Sequence, residues 1–306
     1  MRYLVLGGTG FIGSHLVDEL VAGGASVRLY SRGLTAQEDW PAGKEVERFT
    51  GDLADAASVE RAVRGCEVVF HLVSTTLPKS SNEDPAHDVA TNVLGTLALL
   101  ESARRNSVQR IVFISSGGTV YGRPRASPVA EDHATDPICS HGIAKLAIEK
   151  YLHLYSMLHG LDYRVLRVSN AYGERQRADR GQGAVSVFLS RALKGEPVTI
   201  WGDGSVVRDY VYVGDVARAL AAAARHHGAD RVFNIGTGRG TSLNDLIAII
   251  EKACGREVKR VYQEGRTFDI DRNILDVSRA AARLGWRPET SLVDGIGKTL
   301  EWMTRR

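Results

Sequence analysis

One short stretch near the start of the chain restricts its fold more than any other: Leu4-Val5-Leu6-Gly7-Gly8-Thr9-Gly10-Phe11-Ile12-Gly13. An apolar strand, a glycine turn and a helix start follow one another without a gap. Gly7 allows the tight turn, Gly10 lets the backbone approach a pyrophosphate, and Gly13 permits close helix–strand packing. Around Phe11 and Ile12 the helix N-terminus offers amide donors and the positive end of its dipole. With these flanks the stretch predicts a dinucleotide-phosphate site rather than a bare turn.

The rest of the first half repeats that alternation. Arg2–Leu6, 26–30, Val46–Thr50, 67–72, 110–115 and 163–168 read as buried parallel strands. Phe11–Ala22, 57–63, 87–106 and 138–159 carry helical apolar spacing. The pattern predicts an α/β fold, a doubly wound parallel Rossmann sheet with its ligand at the carboxyl edge. After Asn170 it loosens: 173–183 reads as a polar loop and 202–204 as a turn, with helical patterns at 214–225, 242–254 and 292–303. We expect a nucleotide-binding domain over 1–170, with a return segment near 211–235. A smaller C-terminal α/β substrate domain should cover 171–306.

A chain of 306 residues supports cores for both. Its 39 basic and 36 acidic residues are interspersed, and the net charge of +3 leaves no nucleic-acid footprint. No apolar run has the length of a membrane span, and the N-terminus does not read as a signal peptide. Cys66, Cys139 and Cys254 lack metal-ligand spacing and fit a reduced, cytoplasmic setting.

The end of the second strand selects the cofactor. An acidic residue there would bind the adenosine ribose of NAD. Here Ser31 and Arg32 stand instead, with no carboxylate before Glu38. A hydroxyl and a guanidinium suit a 2′-phosphate, which favours NADP over NAD. Asp52 and Leu53, after the third strand, are candidates for contact with the adenine; read alone, Asp52 is a turn or cap residue.

The chain resembles extended short-chain dehydrogenases/reductases, in particular the nucleotide-sugar epimerases and dehydratases of the UDP-galactose 4-epimerase type. The likeness runs through Gly7–Gly13, Asp52-Leu53, His71-Leu72-Val73-Ser74, Asn92-Val93-Leu94-Gly95-Thr96 and Ser115-Ser116-Gly117-Gly118-Thr119-Val120-Tyr121-Gly122. It continues in His141-Gly142-Ile143-Ala144-Lys145, Arg167-Val168-Ser169-Asn170, Gly202-Asp203-Gly204 and Arg208-Asp209-Tyr210-Val211-Tyr212-Val213. It closes with Asn234-Ile235-Gly236-Thr237-Gly238 and Leu284-Gly285-Trp286-Arg287-Pro288.

The resemblance implies that a sugar hydroxyl is oxidised, its carbon giving a hydride to a nicotinamide and its oxygen giving a proton to a tyrosine one helical turn before a lysine. A neighbouring serine or threonine holds the same oxygen. Lys145 is present, but His141 stands in the tyrosine position and Gly117 in that of the hydroxyl, with Ser116 or Thr119 as alternative donors. Tyr121 reads as a packing residue.

Leu72, Val73, Ser74, Asn92, Ser115, Lys145 and Val168 join the cofactor set by resemblance. Thr76, Thr119, Asn170, Arg208 and Arg266 are the implied contacts to a nucleotide sugar, with Ser74 and Thr75 also in reach of the sugar. The segment 76–85 looks like a loop of surface-polysaccharide epimerases. The helices 87–106 and 138–159 match those that form a four-helix homodimer interface. The expected activity is an NDP-sugar 4-epimerase, most simply on a UDP-hexose. An NADPH-dependent 4-keto-sugar reductase and a non-catalytic nucleotide-sugar-binding relative are the alternatives.

Overall fold

The computed structural model describes residues 1–33, 46–76, 78–180, 183–265 and 270–305. The chain divides into two compact units. One holds Met1–Gly122, Ala134–Arg167 and Ala217–Phe233; the other holds Arg123–His133, Val168–Val216 and Asn234–Arg306. A single cut at residue 170 does not describe them, since 123–133 clusters with the second unit.

From the N-terminus run β1 (Arg2–Leu6), α1 (Phe11–Ala22), β2 (Ser26–Ser31), β3 (Val46–Thr50), α2 (Ala56–Val63) and β4 (Val68–His71). Two short helices follow, α3 (Pro78–Glu83) and α4 (Pro85–Asp88), then a π-helical turn (Val89–Leu94) and α5 (Gly95–Arg105). Next come β5 (Arg110–Ser116), α6 (Ser140–His159), β6 (Asp162–Val168) and β7 (Asn170–Tyr172). Beyond them lie α7 (Ala184–Lys194), β8 (Val198–Trp201), β9 (Val207–Arg208), β10 (Tyr210–Tyr212), α8 (Val213–Arg225) and β11 (Val232–Ile235). The chain ends through β12 (Thr241–Ser242), α9 (Leu243–Cys254), β13 (Arg260–Gln263), β14 (Arg272–Asn273), α10 (Ser278–Leu284) and α11 (Leu292–Thr304).

The central sheet has the order β11-β6-β5-β4-β1-β2-β3. It is a parallel, Rossmann-like sheet with helices. β1 pairs in register with β2 and β4, β2 with β3, and β4 with β5. Every residue of β4 is buried, as is all of β1 after Arg2. That is why both read as unbroken apolar runs: helices cover both faces. β3 is an edge strand, and Glu47, Arg48 and Thr50 stay exposed. Leu4, Leu6, Val69, Ile111, Phe113, Leu99 and Ile148 form the heart of this core. The second unit has its own core around Phe188, Leu189, Ile200, Ile247 and Ile296. Its sheets are small: β10–β7, β12-β9-β14 and β13–β8.

The helix read over 87–106 runs without interruption from 85 to 105, capped by Asp84 through the His87 amide and widened into a π turn at Val89–Leu94. Two expectations need correction. The segment 76–85 is not wholly loop, because α3 occupies 78–83; Pro85 prevents it from running on into α4. And α7 follows the 173–183 segment, where no helix was read. Among the described residues no helix is long and apolar enough to cross a membrane.

Candidate functional site

β1, β4 and β5 end on one edge of the sheet, and the loops beyond them collect most of the anticipated residues. Gly7 has φ +83°, the left-handed region that a side chain disfavours. Its amide donates to Tyr30 O and its carbonyl accepts from the Gly10 amide, both at 2.9 Å. A Cβ at Gly13 would lie 2.1 Å from Gly7 O, so only glycine lets α1 sit this close to the turn. Gly10 is the N-cap of α1 and offers no side-chain cap, and the first turn, with Phe11 and Ile12, carries no acid. The cradle therefore fits a dinucleotide pyrophosphate, whose oxygens would take the amides that the helix leaves without partners.

Around it the other cofactor candidates divide. Leu72 and Val73 bring their backbone within van der Waals contact of the Gly7 position. Arg32 is exposed, while the Ser31 hydroxyl is turned aside, donating to Gly33 O at 2.9 Å. Glu38 and Arg266 lie outside the described residues. Asp52 holds a local turn, accepting from the Ala54 amide at 2.9 Å, and Leu53 is buried in the core, leaving its backbone for any ligand. Val168 is buried at the end of β6.

The loop after β4 is stitched together by its own side chains. Ser74 Oγ donates to Thr76 O at 3.0 Å, and the Thr75 amide donates to Asn92 Oδ1 at 3.0 Å. Asn92 Nδ2 donates to Thr76 Oγ1 at 3.2 Å and to Asp88 Oδ1 at 2.8 Å. The Thr76 hydroxyl itself donates to Asp88. Thr76 and Asn92 thus face inward and shape the loop instead of projecting from it.

α6 carries the proton-transfer candidates. Lys145 is buried, its Nζ donating to Ile114 O at 3.0 Å and standing 4.7 Å from the Phe113 ring centre. Burial lowers its pKa to about 8, with Asp88 and Glu149 opposing. His141 lies one turn earlier. Burial and the Lys145 charge bring its imidazole down to about 4, and Asp88 again opposes. At neutral pH the pair is a neutral imidazole beside an ammonium ion, one able to accept a proton and the other able to lower the cost of a developing negative charge.

Opposite α6, Ser115 Oγ donates to Glu149 Oε1 at 2.5 Å, and Ser116 O accepts the Thr119 and Val120 amides. Gly117 is buried, and Ser116 is half-buried. Thr119 Oγ1 is buried without a hydrogen-bond partner among the described residues. The Tyr121 hydroxyl accepts from Arg167 Nη1 at 3.0 Å inside the core, as a packing residue would.

In the second unit, Asn170 Nδ2 donates to Asp209 O at 3.2 Å, and Arg208 on β9 donates to Val207 O and Ile270 O. The carboxyl of Asp209 is buried and gathers the Thr237 and Gly238 amides and the Thr237 hydroxyl. That contact holds the 234–238 turn.

Two features were missed in the sequence. Glu149 stands four residues after Lys145, on the same helix face, and it pairs with Arg167 at 2.6 Å with both side chains buried. A charged residue inside a buried strand demands such a partner, so Arg167 was a readable signal. Asp88 carried none, because beside the nearby Asn92 its partners Thr76 and Ser140 lie outside its own helix.

A model of the NAD dependent epimerase/dehydratase family matches residues 3–236. The chain is 37% identical over 318 residues to the UDP-glucose 4-epimerase of Mycolicibacterium smegmatis, covering 100% of this chain and 99% of that one. Its structure is similar to that of the Thermotoga maritima UDP-glucose 4-epimerase solved with UDP-glucose, at a TM-score of 0.93 and 39% identity, over 100% of this chain and 99% of that one. It is also similar to the Thermus thermophilus UDP-glucose 4-epimerase solved with NAD, at a TM-score of 0.91 and 37% identity, over 99% of both chains.

Proposed function

The chain belongs to the NAD-dependent epimerase/dehydratase family of extended short-chain dehydrogenases/reductases, and from that premise we propose that it interconverts the C4 epimers of a nucleotide sugar, a UDP-hexose, by way of a transient 4-keto sugar. The observation that carries this reading is the buried Lys145 one helical turn after residue 141, on the sheet edge that also holds the Gly7–Gly13 cradle. A nicotinamide cofactor bound at that cradle supplies the hydride exchange. The protein supplies the proton exchange and the positioning. His141 takes the proton of the sugar hydroxyl and returns it; the Lys145 charge favours the alkoxide left on the sugar, although it opposes the imidazolium; the half-buried Ser116 would hold the same oxygen where Gly117 offers no hydroxyl. Asn170 and Arg208 would bind the diphosphate, the arginine through a charge-assisted fork. Arg32 favours NADP, and the exposed apolar residues of α6 favour a homodimer.

A base whose conjugate acid lies near 4 is a weak one. The reading therefore expects slow turnover, limited by the group at residue 141. The test is interconversion of UDP-glucose with UDP-galactose, and of their N-acetyl counterparts, followed by chromatography. Restoring a phenol with His141→Tyr should raise kcat at least about tenfold at nearly unchanged KM, within the usual range of acid–base contributions. A fast natural protein that His141→Tyr slows would make histidine the better base here. Net NADPH consumption with a 4-keto sugar would favour a reductase.

A further inference from the structure

The first turn of α6, which carries His141, is not capped by its own N-cap residue: Cys139 makes no side-chain cap hydrogen bond. The amide of Ser140 donates instead to Asn82 Oδ1 at 2.8 Å, and the amide of His141 to Ser81 Oγ at 3.0 Å, both acceptors belonging to α3. The Ser140 hydroxyl donates to Asp88 Oδ2 at 2.7 Å. On its other oxygen Asp88 accepts from Asn92 Nδ2 and from the Thr76 hydroxyl. Asp88 is completely buried. Burying a carboxylate costs several kcal/mol unless charge compensates it, and hydrogen bonds to hydroxyls and an amide do not need an acid: an asparagine would serve a purely architectural purpose. Among the described residues, Lys145 and, once protonated, His141 are cations that bear on this acid.

We propose that Asp88 is a positioning residue for proton transfer at residue 141: through Ser140 it fixes the first turn of α6, and its charge is the counter-ion both of the Lys145 ammonium and of the imidazolium formed when His141 takes a proton. This rests on the reading of residue 141 as the proton-transfer position. Among the described residues the charged surroundings are few. α6 contributes Lys145 and Glu149, and α4 contributes Asp88 and the exposed His87. His71 at the end of β4 is kept neutral by burial and by Lys145, at about 3. The π turn has no ionisable side chain. Arg110, at the far end of β5, is paired with Asp162, and on α5 Glu101 is paired with Arg104. Glu83 of α3 is exposed. Asp88 is thus the acid outside α6 that acts on both groups.

The test removes the charge while keeping the shape, with Asp88→Asn in the full-length protein. The first readout needs no turnover: the Lys145 Cε resonance, in protein labelled with carbon-13 lysine and assigned with Lys145→Met, should titrate at about 8. In Asp88→Asn its midpoint should fall by at least about half a pH unit, and Asp88→Glu should restore it. In epimerisation, kcat should fall about tenfold with KM changed less than about twofold. Combined with His141→Ala, Asp88→Asn should cost nothing further. If Asp88→Asn does not fold by near-ultraviolet circular dichroism, Ser140→Ala replaces it and should lower kcat at constant KM by cutting the link alone. An unchanged Lys145 midpoint in folded Asp88→Asn overturns the proposal, as does an equal loss of kcat with and without His141, or an unaltered kcat in Ser140→Ala. Should His141→Ala itself leave kcat unchanged, the reading of residue 141 fails, while the Lys145 midpoint still decides whether Asp88 is its counter-ion.

Discussion

For His141 to accept a proton it must be neutral, which holds above about 4; for Lys145 to assist it must be charged, which holds below about 8. The two signs bracket a window. kcat/KM should rise with pH through the first value, stay level, and fall through the second, as initial rates at low sugar concentration would record. In His141→Tyr the acid limb set by the imidazole should vanish, and only the lysine limb and that of the phenol should remain. A flat profile across the second value would remove Lys145 from the step. The cofactor preference is also a matter of one residue. With the Ser31 hydroxyl occupied by Gly33 O, Arg32 is, among the described residues after β2, the group left to meet a 2′-phosphate. Calorimetric titration should show NADP bound roughly tenfold to a hundredfold more tightly than NAD, with Arg32→Asp reversing the order. Tighter binding of NAD to the unaltered chain would overturn it. At this scale the sequence spoke clearly where chemistry is local: the glycines of the turn and the one-turn spacing of His141 and Lys145 need no distant partner to be recognised. Asp88, Thr76 and Asn92 acquire their roles only from each other.

Between elements, the connection with the most at stake is the pair of Arg167 on β6 and Glu149 on α6, with Tyr121 and Ser115 completing their hydrogen bonds. Removing one partner leaves a buried charge uncompensated. Arg167→Met should therefore destabilise the fold by about 3–5 kcal/mol, read from urea unfolding, and adding Glu149→Gln should recover much of it. Equal stability of Arg167→Met and the unaltered protein would show that water reaches the pair. The strands and long helices of the first unit were legible because burial imposes period and composition together. α3 was hidden by a serine- and asparagine-containing stretch that reads as loop, and those same polar side chains turn out to cap α6. The widening at the π turn and the two-residue strands β9, β12 and β14 leave no periodicity to find.

At the scale of the molecule, the two cores are separate in the contact pattern and interleaved in the chain, which a reading from left to right renders as one boundary. Within the first unit α6 leaves Met157 71% and Leu158 64% exposed, with Ile143 and Leu154 also uncovered. Methionine and leucine side chains so open to water on one helix favour burial against a second copy, in a helical bundle. The double change Met157→Asp with Leu158→Asp should give a monomer by light scattering, and an unchanged mass would place the contact elsewhere. α6 is a single rod of 20 residues, about 30 Å long. His141 and Lys145 occupy its first turns, and the uncovered apolar side chains reach to its last ones. A rod gripped at its far end by a neighbour is steadier at its near end. Specific activity should then cease to be a constant of the protein and become a function of its concentration. Serial dilution below the dissociation constant would act as an inhibitor, and activity would return on reconcentration.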